Sequence, residues 1–117
     1  MWGGWIHRFY DRRLFTIAAS GTLSDEKDLA GCYPTRVFVE NTTGAPSALT
    51  FWIDDPTSAT GTFIQLYSAG SALSISVTAG KWNELSSDLA KLIACKRVKV
   101  GCSSWSAGGR IYFDLST

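Results

Sequence analysis

The chain has 117 residues, of which 45% are hydrophobic, 13% aromatic and 18% charged, with a formal net charge of +1. That length holds one domain with a real core and excludes two. The near-neutral charge excludes a global preference for nucleic acid or acidic partners, and no apolar run is long enough to span a bilayer.

The head, "MWGGWIHRFYDRRLF", departs from this average. Residues 1–15 set Arg8, Arg12 and Arg13 against Asp11, a net of +2, whereas the remainder carries eight Lys or Arg against nine Asp or Glu. The arginines follow the aromatics and no small-residue cleavage site comes after, so the head does not read as a signal peptide. Wound as a helix, Trp2, Trp5, Ile6, Phe9 and Tyr10 share one face. Gly3 and Gly4 weaken that helix by about 1 kcal/mol each, so an extended arm with aromatic anchors is an equal alternative. Either form needs a cover, which its own domain, a neighbouring protein or a membrane surface would supply. Aromatics with Arg are the composition of protein interfaces, which favours a protein.

From Leu14 on, the chain reads as short strands. "DEKD" (Asp25, Glu26, Asp28) reads as a solvated turn, since it lacks the glycine and terminal glutamate of a calcium loop. Val37, Phe38 and Val39 form a strand core in "TRVFVEN". "SALTFWID" alternates Leu49, Phe51 and Ile53 against Thr50 and Trp52. "TFIQLY" and "ALSISV" follow with the same period, the latter setting Leu73, Ile75 and Val77 against Ser74 and Ser76. Period two with β-branched and aromatic residues means half-buried strands. Between them, "NTTGAPS", "DDPTSATG", "SAGS", "TAGK" and "SAGG" are turn clusters. In "SSDLAKLIACK", Ser86 or Ser87 caps a short helix carrying Leu89, Leu92 and Ile93, a lid at one end of the domain. "KRVKVGC" alternates Val98, Val100 and Cys102 against Arg97, Lys99 and Gly101, and "GRIYFDL" lines up Ile111, Phe113 and Leu115. The expected fold is all-β: an antiparallel β-sandwich, jelly-roll-like, of about seven or eight strands with one short helix and an N-terminal arm. The expected division is an anchoring arm over 1–15 and a sandwich domain over 16–117.

Reactive constellations are missing from the sequence. The only His is His7, in the head, so no Ser–His or Cys–His system is expected within the sandwich. Cys32, Cys95 and Cys102 are odd in number and lack Cys-x-x-Cys spacing, which reads as free thiols in a cytosolic chain. Asp54 and Asp55 are adjacent before Pro56, so they point apart and serve as turn formers rather than as a catalytic pair. The expectation is no enzyme, no cofactor and no metal. Lys96, Arg97 and Lys99 read as a solvated sheet face or as edge protection by charge. Trp52, Trp82 and Trp105 would line a sugar-binding surface if all were exposed, but core and sheet packing is their expected role.

Several stretches carry a family likeness: "TIAASGTLSDEKDLAG" with the pattern "IAxSGxLS...DLxG", the strand "LTF", "LY" before a glycine turn, and "L...LA...RVKV" before the last strand. From Thr16 to the end the chain resembles small tailed-phage capsid decoration (cement) proteins; the head lies outside the likeness. "DDPTSATG" stands where a longer Asp-Gly loop is expected in that set. The resemblance implies a virion structural protein made in the host cytoplasm and bound to the outer capsid surface. Its partners would be the major capsid protein and further copies of itself, as a trimer, with no nucleic acid and no membrane. The expected contacts are Trp2, Trp5, Phe9 and Tyr10 as apolar anchors, with Arg8, Arg12 and Arg13 pairing capsid carboxylates. A phage tail or baseplate component and a carbohydrate-binding β-sandwich module are the alternatives.

Overall fold

The computed structural model describes residues 10–29, 31–59, 61–92 and 97–116. Trp2, Trp5, Ile6, His7, Arg8 and Phe9 of the head, and Ile93, Cys95 and Lys96, lie outside the described residues.

Eleven strands are present among the described residues: β1 (Tyr10–Ile17), β2 (Gly21–Leu23), β3 (Tyr33–Val39), β4 (Ala48–Asp54), β5 (Phe63–Gln65), β6 (Tyr67–Ser68), β7 (Ser71–Ala72), β8 (Ser74–Ser76), β9 (Trp82–Glu84), β10 (Val98–Trp105) and β11 (Gly109–Ser116). Nine of them form two antiparallel sheets, and β6 pairs with β7 apart from both. One has the order β1-β11-β3-β9. The other has the order β2-β10-β4-β5, with β8 also on β4. The long strands pass back and forth between the sheets, and the first and last pair directly, Tyr10 opposite Ser116. This is the order of a jelly roll. The two sheets supply the eight strands expected of it, with β5 and β8 sharing one position beside β4. The extra strands come from "LYSAGSALSIS". There the chain leaves the ladder at Leu66, turns back through Ala69 and Gly70, and makes the small β6–β7 hairpin.

The alternation read from the sequence sets the core. Phe15, Ile17, Val37, Val39, Leu49, Phe51, Val98, Val100, Ile111, Phe113 and Leu115 all point between the sheets and are buried. Phe15 and Phe113 meet edge to face at 5.5 Å. Trp105 is fully buried in this core, and its indole N–H donates to Thr42 Oγ1 at 2.7 Å. The indole lies so close to Gly109 that a β-carbon there would collide with it. The "SSDLAKL" segment forms a 3-10 helix, Ser87–Leu92, packed against β3, and Leu89 and Leu92 seal the core beneath it.

The arm and the sandwich divide elsewhere than expected. Residues 10–15, assigned to the arm, form most of β1 and pair in unbroken register with β11. The physical reason is alternation: Phe15 and Ile17 bury one side of the strand, and pairing with β11 satisfies the backbone groups that face it, while the others lie at the sheet edge. Of the two roles expected for the charges of β10, a solvated sheet face or edge protection, the second is ruled out. The strand lies between β2 and β4, so its charges protect no edge.

Candidate protein-binding face

The outer face of the four-stranded sheet carries the most unusual surface. On β1, β3 and β11 the sequence places an apolar residue on the side opposite the core. Leu14 precedes Phe15, Phe38 sits between Val37 and Val39, and Tyr112 between Ile111 and Phe113. The register brings these together. Leu14 stands opposite Tyr112, Tyr112 opposite Phe38, and Phe38 opposite Trp82. Four strands at about 4.8 Å spacing give a stripe roughly 15 Å long. Its two ends are exposed, Leu14 at 38% and Trp82 at 42%. The rings are in contact along it, with Phe38 5.5 Å from Trp82 and 6.3 Å from Tyr112.

Charged rows flank the stripe. On one side, Arg12, Asp114, Arg36 and Glu84 stand opposite one another in order. Asp114 is nearly buried and accepts from Arg12 Nε at 2.7 Å and from Arg36 Nε at 2.6 Å. The hydrogen bond from Arg12, joined by that from Arg36, holds this carboxyl below its ordinary range, and the same pairing raises Arg12. Both guanidiniums also lie near the Trp82 ring, Arg36 at 4.8 Å and Arg12 at 5.1 Å from its centroid. On the other side, Arg110 pairs with Glu40 at 3.0 Å, which lowers Glu40 and raises Arg110. A depression of about 460 Å³ opens beside the stripe, lined by Arg12 and Arg36 together with Asp11, Thr35 and Asp114. Its cations already face carboxylates of the chain itself, so it offers no free charge.

The residues expected to bind a partner are therefore split. Trp2, Trp5, Arg8 and Phe9 lie outside the described residues, and Tyr10 enters as the first residue of β1. Arg12 points outward into the flanking row. Arg13 lies on the opposite side of β1, pairs with Asp11 and donates to the carbonyl of Asp28 at 3.0 Å. Arg12 and Arg13 were expected to act together on partner carboxylates; period two separates them, and each already has a carboxylate within the chain. The acidic turn likewise has local roles: Asp25 accepts from the Thr16 amide at 2.8 Å, and Glu26 pairs with Arg97 at 3.5 Å.

Comparison with family models, with curated proteins and with solved structures finds no match. The site is read from its own chemistry. Among the described residues no three His, Cys, Asp or Glu converge as metal ligands, and no helix is long and apolar enough to cross a membrane. Cys32 is buried and Cys102 half-buried, both as free thiols, and burial pushes the Cys102 thiol up. Trp52, Trp82 and Trp105 share no surface: Trp105 is core, Trp82 lies on the four-stranded sheet, and Trp52 lies on the other sheet. Leu14, Phe38, Tyr112, Arg36 and Asp114 were missed by sequence reasoning. The signal for the first three was present, because three apolar residues in a row on a strand must aim one away from the core. "VFV" and "IYF" are such triplets, and "LFTI" puts Leu14 opposite in phase to Phe15 and Ile17.

Proposed function

We propose that this protein is a virion structural protein, a capsid decoration (cement) protein that binds the outer surface of an icosahedral capsid and stabilises it. The observation that carries the reading is the stripe of Leu14, Tyr112, Phe38 and Trp82 across the outer face of a sandwich sheet. Outward positions of a solvated sheet are ordinarily polar. Aromatic residues rimmed by Arg are the composition of protein-binding hot spots. The resemblance to decoration proteins, from Thr16 to the end, supplies the partner class; it covers β3, β9 and β11 of this face and the last two residues of β1, but not Leu14.

The mechanism is physical. The stripe buries against a neighbouring shell protein, and the flanking ion-pair rows fix orientation by disfavouring mismatched charge. The aromatic head runs directly into β1, the edge strand that carries Leu14, so head and face act on the same partner. A single small face binds weakly. Several copies held together as an oligomer raise avidity without new contacts and bridge adjacent capsid subunits.

The test mixes the purified chain with undecorated capsids of the virus that encodes it and reads occupancy by sedimentation and gel. Wild type is expected to occupy the particles in many copies. Leu14→Ser with Trp82→Ala is expected to remain folded and lose most of that occupancy. Full occupancy by the double variant removes the face from the reading. Recovery in a few copies on tails, or in none, removes capsid decoration itself.

A further inference from the structure

The second sheet carries a different kind of surface on its outer side. Leu49, Phe51 and Ile53 turn inward, so Ala48, Thr50 and Trp52 face out from β4. Across the ladder, Trp52 stands opposite Gln65 on β5, and Thr50 stands opposite Gly101 on β10. Gly101 is essential to this surface. A β-carbon built there would come within 2.6 Å of Thr50 Oγ1 and 2.7 Å of Trp52 Nε1. The missing side chain lets the indole and the hydroxyl lie down over β10, at a position in the middle of the sheet. A groove of about 440 Å³ opens beside them, lined also by Thr22, Leu23, Ser47, Gln65, Cys102 and Ser103. That volume falls in the range of small-ligand clefts, about 300–1,000 Å³.

Two features define what fits. First, no charged side chain lines the groove. The nearest cation in register, Lys99 opposite Trp52, sits 4.6 Å from the Phe63 ring, and Arg97 pairs with Asp54. Second, the polar groups are free. The side chains of Thr22, Ser47, Thr50, Gln65 and Ser103 and the Trp52 indole N–H make no hydrogen bond to any other described residue. The outer face of the other sheet is the reverse, with Asp114, Arg12, Arg36, Glu40 and Arg110 in ion pairs and the ends of its apolar stripe exposed.

We infer that this groove is a binding site for a neutral saccharide. The negative π face of an indole attracts the polarised C–H face of a sugar ring, and hydroxyl and amide groups around it match sugar hydroxyls in both donor and acceptor roles. A purely apolar ligand would strip water from these polar groups and give nothing back, which is costly. A phosphate, uronate or sialate finds no cation lining the groove. A peptide adding by main-chain pairing needs a free edge; the indole and the hydroxyl lie over β10 and β4, which are flanked on both sides, and the edges of this sheet are β2 and β5. The inference is independent of the capsid reading, because the groove and the aromatic stripe lie on opposite sheets.

The test is a titration of the ¹⁵N-labelled protein with neutral sugars: glucose, galactose, mannose, N-acetylglucosamine and their short oligomers. The readout is the indole N–H signal of Trp52, assigned by its loss in Trp52→Phe, and, for variants without that indole, the backbone amide signals of residues 50, 101 and 103. At least one sugar series is expected to shift the indole signal saturably, with a Kd between about 0.1 and 10 mM. Trp52→Ala and Gly101→Ala, which pushes the indole off β10, should each weaken binding about tenfold or more. Gln65→Ala, a partly exposed position on a short strand, should weaken it several-fold in a protein whose spectrum remains dispersed. Trp82→Ala, on the other sheet, should bind as wild type does. The inference is overturned if the Trp52 signal stays still across the whole panel. It is equally overturned if the backbone amides of residues 101 and 103 still shift as in wild type in both Trp52→Ala and Gln65→Ala, or if sialylated or uronic-acid oligosaccharides bind better than neutral ones.

Discussion

Replacing Asp114 by Asn exchanges one oxygen for an amino group and removes one charge from the row that flanks the stripe. The carboxylate is only 12% exposed, while the Arg12 and Arg36 side chains that it anchors are 55% and 51% exposed. A hydrogen bond to a charged group contributes about 1.5–3 kcal/mol in a shielded setting, but an exposed ion pair contributes only about 0.2–1 kcal/mol. Half-exposed guanidiniums place Asp114 between these limits, so Asp114→Asn is expected to cost about 1–2 kcal/mol in total. The amide retains one acceptor for one arginine and turns N–H groups toward the other. Urea unfolding of both proteins measures the difference at constant m. The pH dependence follows from the direction of the shift. Asp114 is held below its ordinary value in the fold by Arg12 and then Arg36. Its stabilising contribution is therefore fully present above the unfolded carboxylate pKa of about 3.9 and is lost as pH falls through the lower folded value. The gap between wild type and Asp114→Asn should be constant above about pH 5 and close as pH drops below about 4. An Asn variant as stable as wild type at neutral pH would refute the charge argument, and so would a gap that does not narrow in acid.

Trp105→Ala should cost about 3–5 kcal/mol, because it empties a fully buried site. Trp105→Phe should cost less, through the loss of the donor to Thr42, and urea midpoints order the two. Gly109→Ala should destabilise by about 1–3 kcal/mol or more, since the new methyl group meets the Trp105 indole. A chain starting at Leu14 should unfold at lower urea than one starting at Tyr10, because it loses half of the β1–β11 ladder and the Arg12–Asp114 pair; equal midpoints would separate residues 10–13 from the fold. Cys102 should alkylate slowly in the native protein at neutral pH and rapidly in urea, as burial disfavours its thiolate; mass spectrometry of the labelled chain reads both rates.

Local chemistry was legible in the amino-acid sequence alone. Period-two alternation marked which residues of "TRVFVEN", "SALTFWID" and "GRIYFDL" enter the core, and each turn cluster fell between strands. Those patterns are written within a few residues, because side chains on an extended chain alternate whatever the partner strand is. The candidate sites depended on longer range. Trp52, Trp82 and Trp105 are one residue type in similar strand contexts, yet one lines a groove, one ends an exposed stripe and one is core. Sheet order made that difference by deciding what lies across from each. The stripe exists because the register sets Leu14, Tyr112, Phe38 and Trp82 in a line, and Asp114 is held by arginines 102 and 78 residues away in sequence. No local pattern encodes such pairings. They follow from closing two sheets over a shared core, where a one-residue slip would turn every inward side chain out to water.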